Sequence, residues 1–201
     1  MRPDYNKDIK KRILTSESGS VFVATDFADI TDKKTASVIL TRIESEGIIR
    51  RVLRGVYDKP EYNDFLKEFV APIPDNVARA IARNFGWTIV PCGDTALNLL
   101  GLSTQVPATW VYVSDGTYKE YVFDNTVIQF KRTTNKEVSK LSYKTALTIQ
   151  ALKALGKDKI DDAVLDSLHK LLTADEKKTM MSEAKTATSW IYEYIRQICR
   201  G

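Results

Sequence analysis

This 201-residue sequence predicts an α+β chain built in two parts, and three patterns support that reading. The first sixty residues carry helical stripes closed by a glycine-turned hairpin. The middle carries short alternating runs bounded by Gly, Pro and Asp. The end returns to helices, with apolar positions three and four apart. The length fits two modest domains, each able to bury a core.

In the first part, Tyr5, Ile9 and Ile13 recur every four residues and mark one stripe of a helix reaching Ser16. The stretch Ser16 to Ser20 ends it. Thr25 is expected to cap a short helix carrying Phe27 and Ile30, and Thr31 or Asp32 to cap a third, running to about Glu46 and stopped by Gly47. In that third helix Ala36, Ile39, Leu40 and Ile43 follow the spacing of a buried face. Ile48 to Val52, a turn at Leu53-Arg54-Gly55 and Val56 to Lys59 then read as a short β-hairpin.

Three helices closed by a hairpin is the order of a winged helix-turn-helix, here over residues 1–60. In that fold the third helix enters the major groove and the wing meets backbone or minor groove. Turning the apolar stripe inward points Lys34, Val38, Thr41 and Ser45 outward, with Ser37 and Arg42 flanking them and Lys33 in the first turn. Lysine and arginine neutralise phosphates or read guanine edges, serine and threonine bond either, and Val38 suits a thymine methyl group. The wing adds Arg50, Arg51 and Arg54. Double-stranded DNA is therefore the expected partner, held by Lys33, Lys34, Ser37, Val38, Thr41, Arg42, Arg50, Arg51 and Arg54. The alternative is a solvated basic face, or a winged helix turned to protein contacts.

The formal net charge is only +4, so DNA affinity has to come from this local clustering. The opening residues are polar and no apolar run approaches the roughly 20 residues of a membrane span, so neither signal peptide nor membrane anchor is expected. Cys92 and Cys199 lie far apart and His169 is the single histidine, which gives no zinc spacing and no histidine-based triad. Free thiols fit a reducing cytoplasm, the expected location.

Residues 61–70 read as a linker, and Pro72 and Pro74 mark the entry to a second, α+β part over 71–201. Asp75 is expected to cap a helix to Phe85 with Ala78, Ile81, Ala82 and Phe85 on one stripe, stopped by Gly86. Trp87 to Val90 reads as a buried strand, and Asp94 as the cap of a short helix from Thr95 to Leu100. Strands follow at Ala108–Val113, Glu120–Phe123 and Val127–Lys131, turned by Ser114-Asp115-Gly116 and Asp124-Asn125 into a small antiparallel meander. Helices are expected near 141–155, 161–172 and 174–199, the last opened by a capping box of Thr173 and Glu176.

Three segments, in this order along the chain, resemble the AbiEi-type antitoxins of type IV toxin–antitoxin systems. They are the wing Arg51 to Tyr57, the run Asp75 to Ala82, and the twelve residues from Ala96-Leu97-Asn98-Leu99-Leu100-Gly101 to Pro107. The likeness covers about residues 5–135 and is less clear in the tail after Ser139. It implies an N-terminal winged helix that represses its own operon and a C-terminal domain that counters a nucleotidyltransferase-type toxin. Direct contact with that toxin is not implied.

Two rival readings remain beside it. Gly93-Asp94 before a helix could open a nucleotidyltransferase site, but the strand Trp110–Val113 supplies no partner carboxylate. Neither a phosphate-binding loop nor a nucleophile elbow is present, so no enzyme activity, metal or cofactor is expected. A ligand-sensing regulator without an antitoxin role is the second rival, with Trp87, Trp110, Tyr112 and Tyr121 as the lining of a pocket or as core. The seam Met180, Ala184, Ala187, Ile191, Tyr194 and Ile198 is read as packing on the chain's own core, or else as pairing subunits. An inverted-repeat operator invites either a homodimer or two monomers cooperating on DNA.

Overall fold

A computed structural model describes residues 4–133 and 140–200. The chain is α+β and divides after Trp87 into two compact units. Residues 134–135, at the far end of the antitoxin-like stretch, and the boundary at Ser139 lie outside the described residues.

The first unit runs α1 (Tyr5–Thr15), β1 (Val21–Val23), a single 3-10 turn at Ala24–Phe27, α2 (Lys33–Ser45), β2 (Arg50–Leu53), β3 (Val56–Asp58), β4 (Tyr62–Asn63), β5 (Glu68–Phe69) and α3 (Pro74–Phe85). Strands β1, β3 and β2 form an antiparallel sheet in that order. Ile9 and Ile13 of α1 meet Ala36, Ile39, Leu40 and Ile43 of α2 in one core with Phe22, Phe27 and Tyr57, so the α2 stripe packs as its spacing predicts, while Tyr5, the first position of the α1 stripe, is exposed. Of the two cap candidates, Asp32 caps α2: its carboxylate accepts from the Lys34 and Thr35 amides at 2.9 and 3.0 Å and from the Thr35 hydroxyl at 2.6 Å. Those bonds hold the Asp32 carboxyl below the usual aspartate range, with the Thr35 hydroxyl and amide contributing most.

Between α1 and α2 the expected helix is only that 3-10 turn. Thr25 is not its cap. The Asp26 carboxylate accepts the Val23 amide at 2.9 Å instead, and the buried Thr25 hydroxyl has no partner among the described residues. The unexpected β1 forms because Val21, Phe22 and Val23 are all buried and lie opposite Asp58, Tyr57 and Val56.

The boundary differs from the one read near Pro60. Helix α3 belongs to the first unit, where it packs on β1, β3 and the 3-10 turn. Pro74 occupies its first turn, where the missing amide proton costs nothing, and Gly86 at φ 68° ends it. Asn76 donates to the Gly19 carbonyl (3.2 Å), and Arg83 donates to the Val21 carbonyl (2.9 Å) and to Asp26 (2.7 Å). The stretch read as a linker, 61–70, holds the β4–β5 hairpin.

The second unit runs β6 (Ile89–Pro91), α4 (Asp94–Leu99), β7 (Thr109–Ser114), β8 (Lys119–Phe123), β9 (Thr126–Arg132), α5 (Tyr143–Leu155), α6 (Asp162–Leu171), α7 (Ala174–Glu183) and α8 (Ser189–Arg200). The strand order is β6-β7-β9-β8, with β7 and β9 parallel, so the sheet is mixed and not the meander expected. Burial explains the exchange. Strand β9 carries Ile128 and Phe130, both fully buried, and takes the inner position. Strand β8, with Lys119 and Glu120, takes the edge, where charge discourages further pairing. Helix α5 is buried along Thr145–Leu152 and forms the centre of a core with Leu168, Met180, Ile191, Ile195 and Ile198.

The Thr173–Glu176 capping box is present: Thr173 Oγ1 accepts from the Glu176 amide at 3.3 Å, and Glu176 Oε2 from the Thr173 amide at 2.8 Å. The long helix expected over 174–199 is broken. Ala187 adopts an extended conformation between α7 and α8, letting both fold onto the same core. Met180, Ala184, Ile191 and Ile198 of the apolar seam are buried within the chain. Among the described residues no helix is long and apolar enough to cross a membrane.

Candidate nucleic-acid interface

Helix α2 buries one face and leaves the other open. Lys33, Lys34, Ser37, Val38, Thr41, Arg42 and Ser45 are all exposed, as the stripe geometry predicts. Two lysines in the first turn, with no acidic residue there, oppose the helix dipole. The Asp32 carboxylate at the cap supplies the negative charge that this helix end favours.

Within this surface the side chains divide sharply by whether the fold already uses them. The Ser37 hydroxyl donates to the Lys33 carbonyl at 2.9 Å, and the Thr41 hydroxyl donates to the Ser37 carbonyl at 3.1 Å. Thr41 Oγ1 then accepts the Tyr57 hydroxyl at 3.2 Å, which ties α2 to β3. Lys33, Lys34 and Arg42 make no hydrogen bond or ion pair through their side chains among the described residues. They are available cations.

The three hairpin arginines do three different things. Arg50 makes a two-pronged pair with Asp58, Nε at 3.1 Å and Nη2 at 2.6 Å, and also donates to the Val70 carbonyl at 3.0 Å. Asp58 is only 1% exposed, so Arg50 is the counter-charge of a buried carboxylate. Arg51 lies across the Tyr57 ring, 5.4 Å from its centroid, and donates to Glu44 of α2 at 2.6 Å, a bond that raises its pKa. Arg54 stands at the tip beside Gly55, exposed, and makes no side-chain bond among the described residues. Gly55 sits at φ 77°, which the turn requires and a β-branched residue could not adopt. Of the three, Arg54 alone leaves its guanidinium without a bond among the described residues. The spacing of the arginines gave no hint of Asp58 or Glu44 as partners.

Glu44, Tyr57 and Thr41 therefore clamp the hairpin against α2, and sequence reading assigned the first two no part in the site. Between the two elements lies a hollow of about 340 Å³ lined by Ser37, Thr41, Arg51, Arg54, Gly55 and Tyr57. A second hollow of about 510 Å³, on the α1 side, is bordered by Asp4, Tyr5, Asn6, Lys34, Val38 and Arg42, two cations against one carboxylate. The open face of α2 thus stands as a ridge between two hollows, each with a basic rim.

The other candidates fall elsewhere. Trp110 and Tyr112 are buried core residues of β7, Tyr121 packs edge-on to Phe130 and Trp87 stacks on Phe85. Asp94 lies in the first turn of α4, and Asp115 accepts the Thr88 amide at 2.8 Å. The run Ala96 to Pro107 forms α4, its Gly101 turn and the following loop, pinned by Asn98 donating to the Gln105 carbonyl at 2.9 Å. Cys92 and Cys199 are free thiols whose pKa burial raises.

No curated protein matches the sequence. A family model does, over residues 8–180, a span that takes in α1 to α7 and so most of both units. The chain belongs to that family, described as a family of unknown function, DUF6088.

Proposed function

We propose that the first unit is a winged helix that binds double-stranded DNA, with α2 in the major groove and the Leu53-Arg54-Gly55 turn as the wing. One observation carries the reading: among the described residues Lys33, Lys34, Arg42 and Arg54 have no acidic partner and border the same ridge, while the neighbouring Arg50 and Arg51 are paired. With Arg50 and Arg51 held by Asp58 and Glu44, these four cations are what the ridge and the hairpin tip offer to a polyanion. The order helix, strand, helical turn, helix, hairpin and the β1-β3-β2 sheet support the same assignment. Lys34, Val38 and Arg42 are the base-reading candidates, and Lys33 and Arg54 the phosphate contacts.

At the level of the cell, the chain is a repressor of its own operon and the antitoxin of a nucleotidyltransferase-type toxin. The antitoxin role rests on the resemblance of the wing, Asp75–Ala82 and Ala96–Pro107 to AbiEi-type antitoxins. Titrating the full chain onto the DNA upstream of its own gene tests the first statement. Lys34→Ala with Arg42→Ala should remove specific binding, each base contact being worth about 1–3 kcal/mol. Specific binding left intact would sink the assignment of α2. Co-expression with the neighbouring gene, scored by growth, tests the second.

A further inference from the structure

We propose that the β4–β5 arm is a self-association surface whose occupant is the same arm of a second copy of this chain, in a two-fold contact. Tyr62, Phe65, Leu66, Phe69, Val70 and Ile73 are all exposed within one short stretch, Phe65 to 92%. Isolated exposed apolar residues need no explanation, whereas six together mark an interaction site.

The arm is ordered by its own bonds, which makes it a built surface. Asn63 Oδ1 accepts the Phe65 and Leu66 amides, both at 3.0 Å, and closes the turn. The Lys67 amide donates to the Asn63 carbonyl at 2.8 Å. Tyr62 meets Phe69 edge-on across the strands, ring centroids 5.2 Å apart. At the base, the Val70 amide donates to the Glu61 carbonyl at 2.8 Å and the Val70 carbonyl accepts from Arg50. A two-stranded hairpin is marginal by itself in water, yet this one keeps its apolar side chains outward and both outer strand edges unpaired.

Area and charge identify the occupant. Counting about 150–250 Å² for a fully exposed aromatic, the six side chains present on the order of 600 Å². A stable interface takes roughly 800 Å² from each partner, so a second arm supplies most of what a dimer needs. Glu61, Asp64 and Glu68 outnumber Lys67, which makes the arm a poor match for DNA. Laid antiparallel, tip to base, two arms bring each Lys67 beside the other copy's Glu61, and the contact is self-complementary.

Sedimentation of the full chain at micromolar concentration, without DNA, tests this independently of the DNA reading. The chain is expected at twice its own mass. Phe65→Asp with Leu66→Asp should give the single-chain mass with an unchanged circular dichroism spectrum, since neither side chain is buried within the single chain. Lys67→Glu should weaken the dimer about three- to tenfold, and adding Glu61→Lys should restore it. A chain of single mass throughout the range, as when another part of the same chain covers the arm, overturns the proposal. So does a tip variant that still dimerises. Lys67→Glu without effect, or no rescue by Glu61→Lys, overturns the tip-to-base seating.

Discussion

Arg50 and Arg54 lie on one short hairpin, and replacing each by alanine should give opposite phenotypes. Arg50 neutralises Asp58, which is 1% exposed, through bonds of 3.1 and 2.6 Å. Removing one member of a fully buried pair costs about 3–5 kcal/mol, because the other charge is left uncompensated. The Arg50 side chain is 38% exposed, so water reaches the guanidinium and roughly 2–3 kcal/mol is the better expectation. For a unit of this size that lowers Tm by roughly 10–20 °C. Arg54 has no such partner, and Arg54→Ala should stay within about 0.5 kcal/mol of the parent. On DNA the order reverses. Losing one phosphate contact reduces the slope of log affinity against log salt by about 0.9, which is expected of Arg54→Ala and not of Arg50→Ala. Thermal melts and anisotropy titrations at four salt concentrations read both quantities. A lower slope for Arg50→Ala with an unchanged melt would mean that the Asp58 pair opens on DNA, and the division of the arginines would be wrong.

Three further outcomes follow from the fold. Burial works to raise the Glu183 pKa, but hydrogen bonds from Thr145, from the Ser142 hydroxyl and from the Ser142 amide outweigh it and leave the pKa lowered. A carboxyl depressed in the folded state stabilises above its unfolded pKa, near 4.5, and that contribution fades as pH falls through the folded value. Glu183→Gln should therefore lower Tm at neutral pH and flatten the acid side of a Tm–pH curve; parallel curves would refute the assignment. Asp32→Ala should lower the melt of the first unit while Asp32→Asn retains most of it, since asparagine caps a helix equally well; equal losses would mean the cap is idle. Residues 1–87 should melt cooperatively, whereas residues 1–70, lacking the buried Val77, Ala78 and Ile81, should not. Matching melts for the two fragments would return the boundary to Pro60.

What the sequence disclosed was periodic. The stripe of α2 and the capping box at Thr173 appear where their spacing puts them, and those of α1 and α3 do so except at Tyr5 and Phe85, which are exposed, while Val77 and Ala80 join the buried face of α3. Non-local pairing was hidden. Val21 to Val23 become a strand only because β3 returns to lie beside them, and no neighbour of Ser20 announces that. The same holds for α3, whose stripe was visible but whose partners, β1 and the turn at Ala24–Phe27, lie some fifty residues upstream. In the interface, exposure was legible from the helical period, but occupancy was not. Arg50, Arg51 and Arg54 look alike in a string of letters and differ only through Asp58, Glu44 and open solvent.

The place of β9 between β7 and β8 also sets an order of assembly. Asp124, at φ 47°, and Asn125 turn β8 into β9, a local hairpin that zips within microseconds. Strand β7 is made earlier and can pair with β6, but its parallel register with β9, from Thr109 opposite Val127 to Ser114 opposite Arg132, needs the chain to return across the β8–β9 hairpin first. Loop closure is then paid before any contact rewards it, which makes this sheet the slow step of the second unit. Until β7 and β9 pair, Ile128 and Phe130 sit on an open strand edge, and β7 has only β6 and α4 beside it. A newly made chain is most prone to aggregate in that interval, and variants that loosen the Asp124-Asn125 turn should show it first as lost soluble yield at high expression.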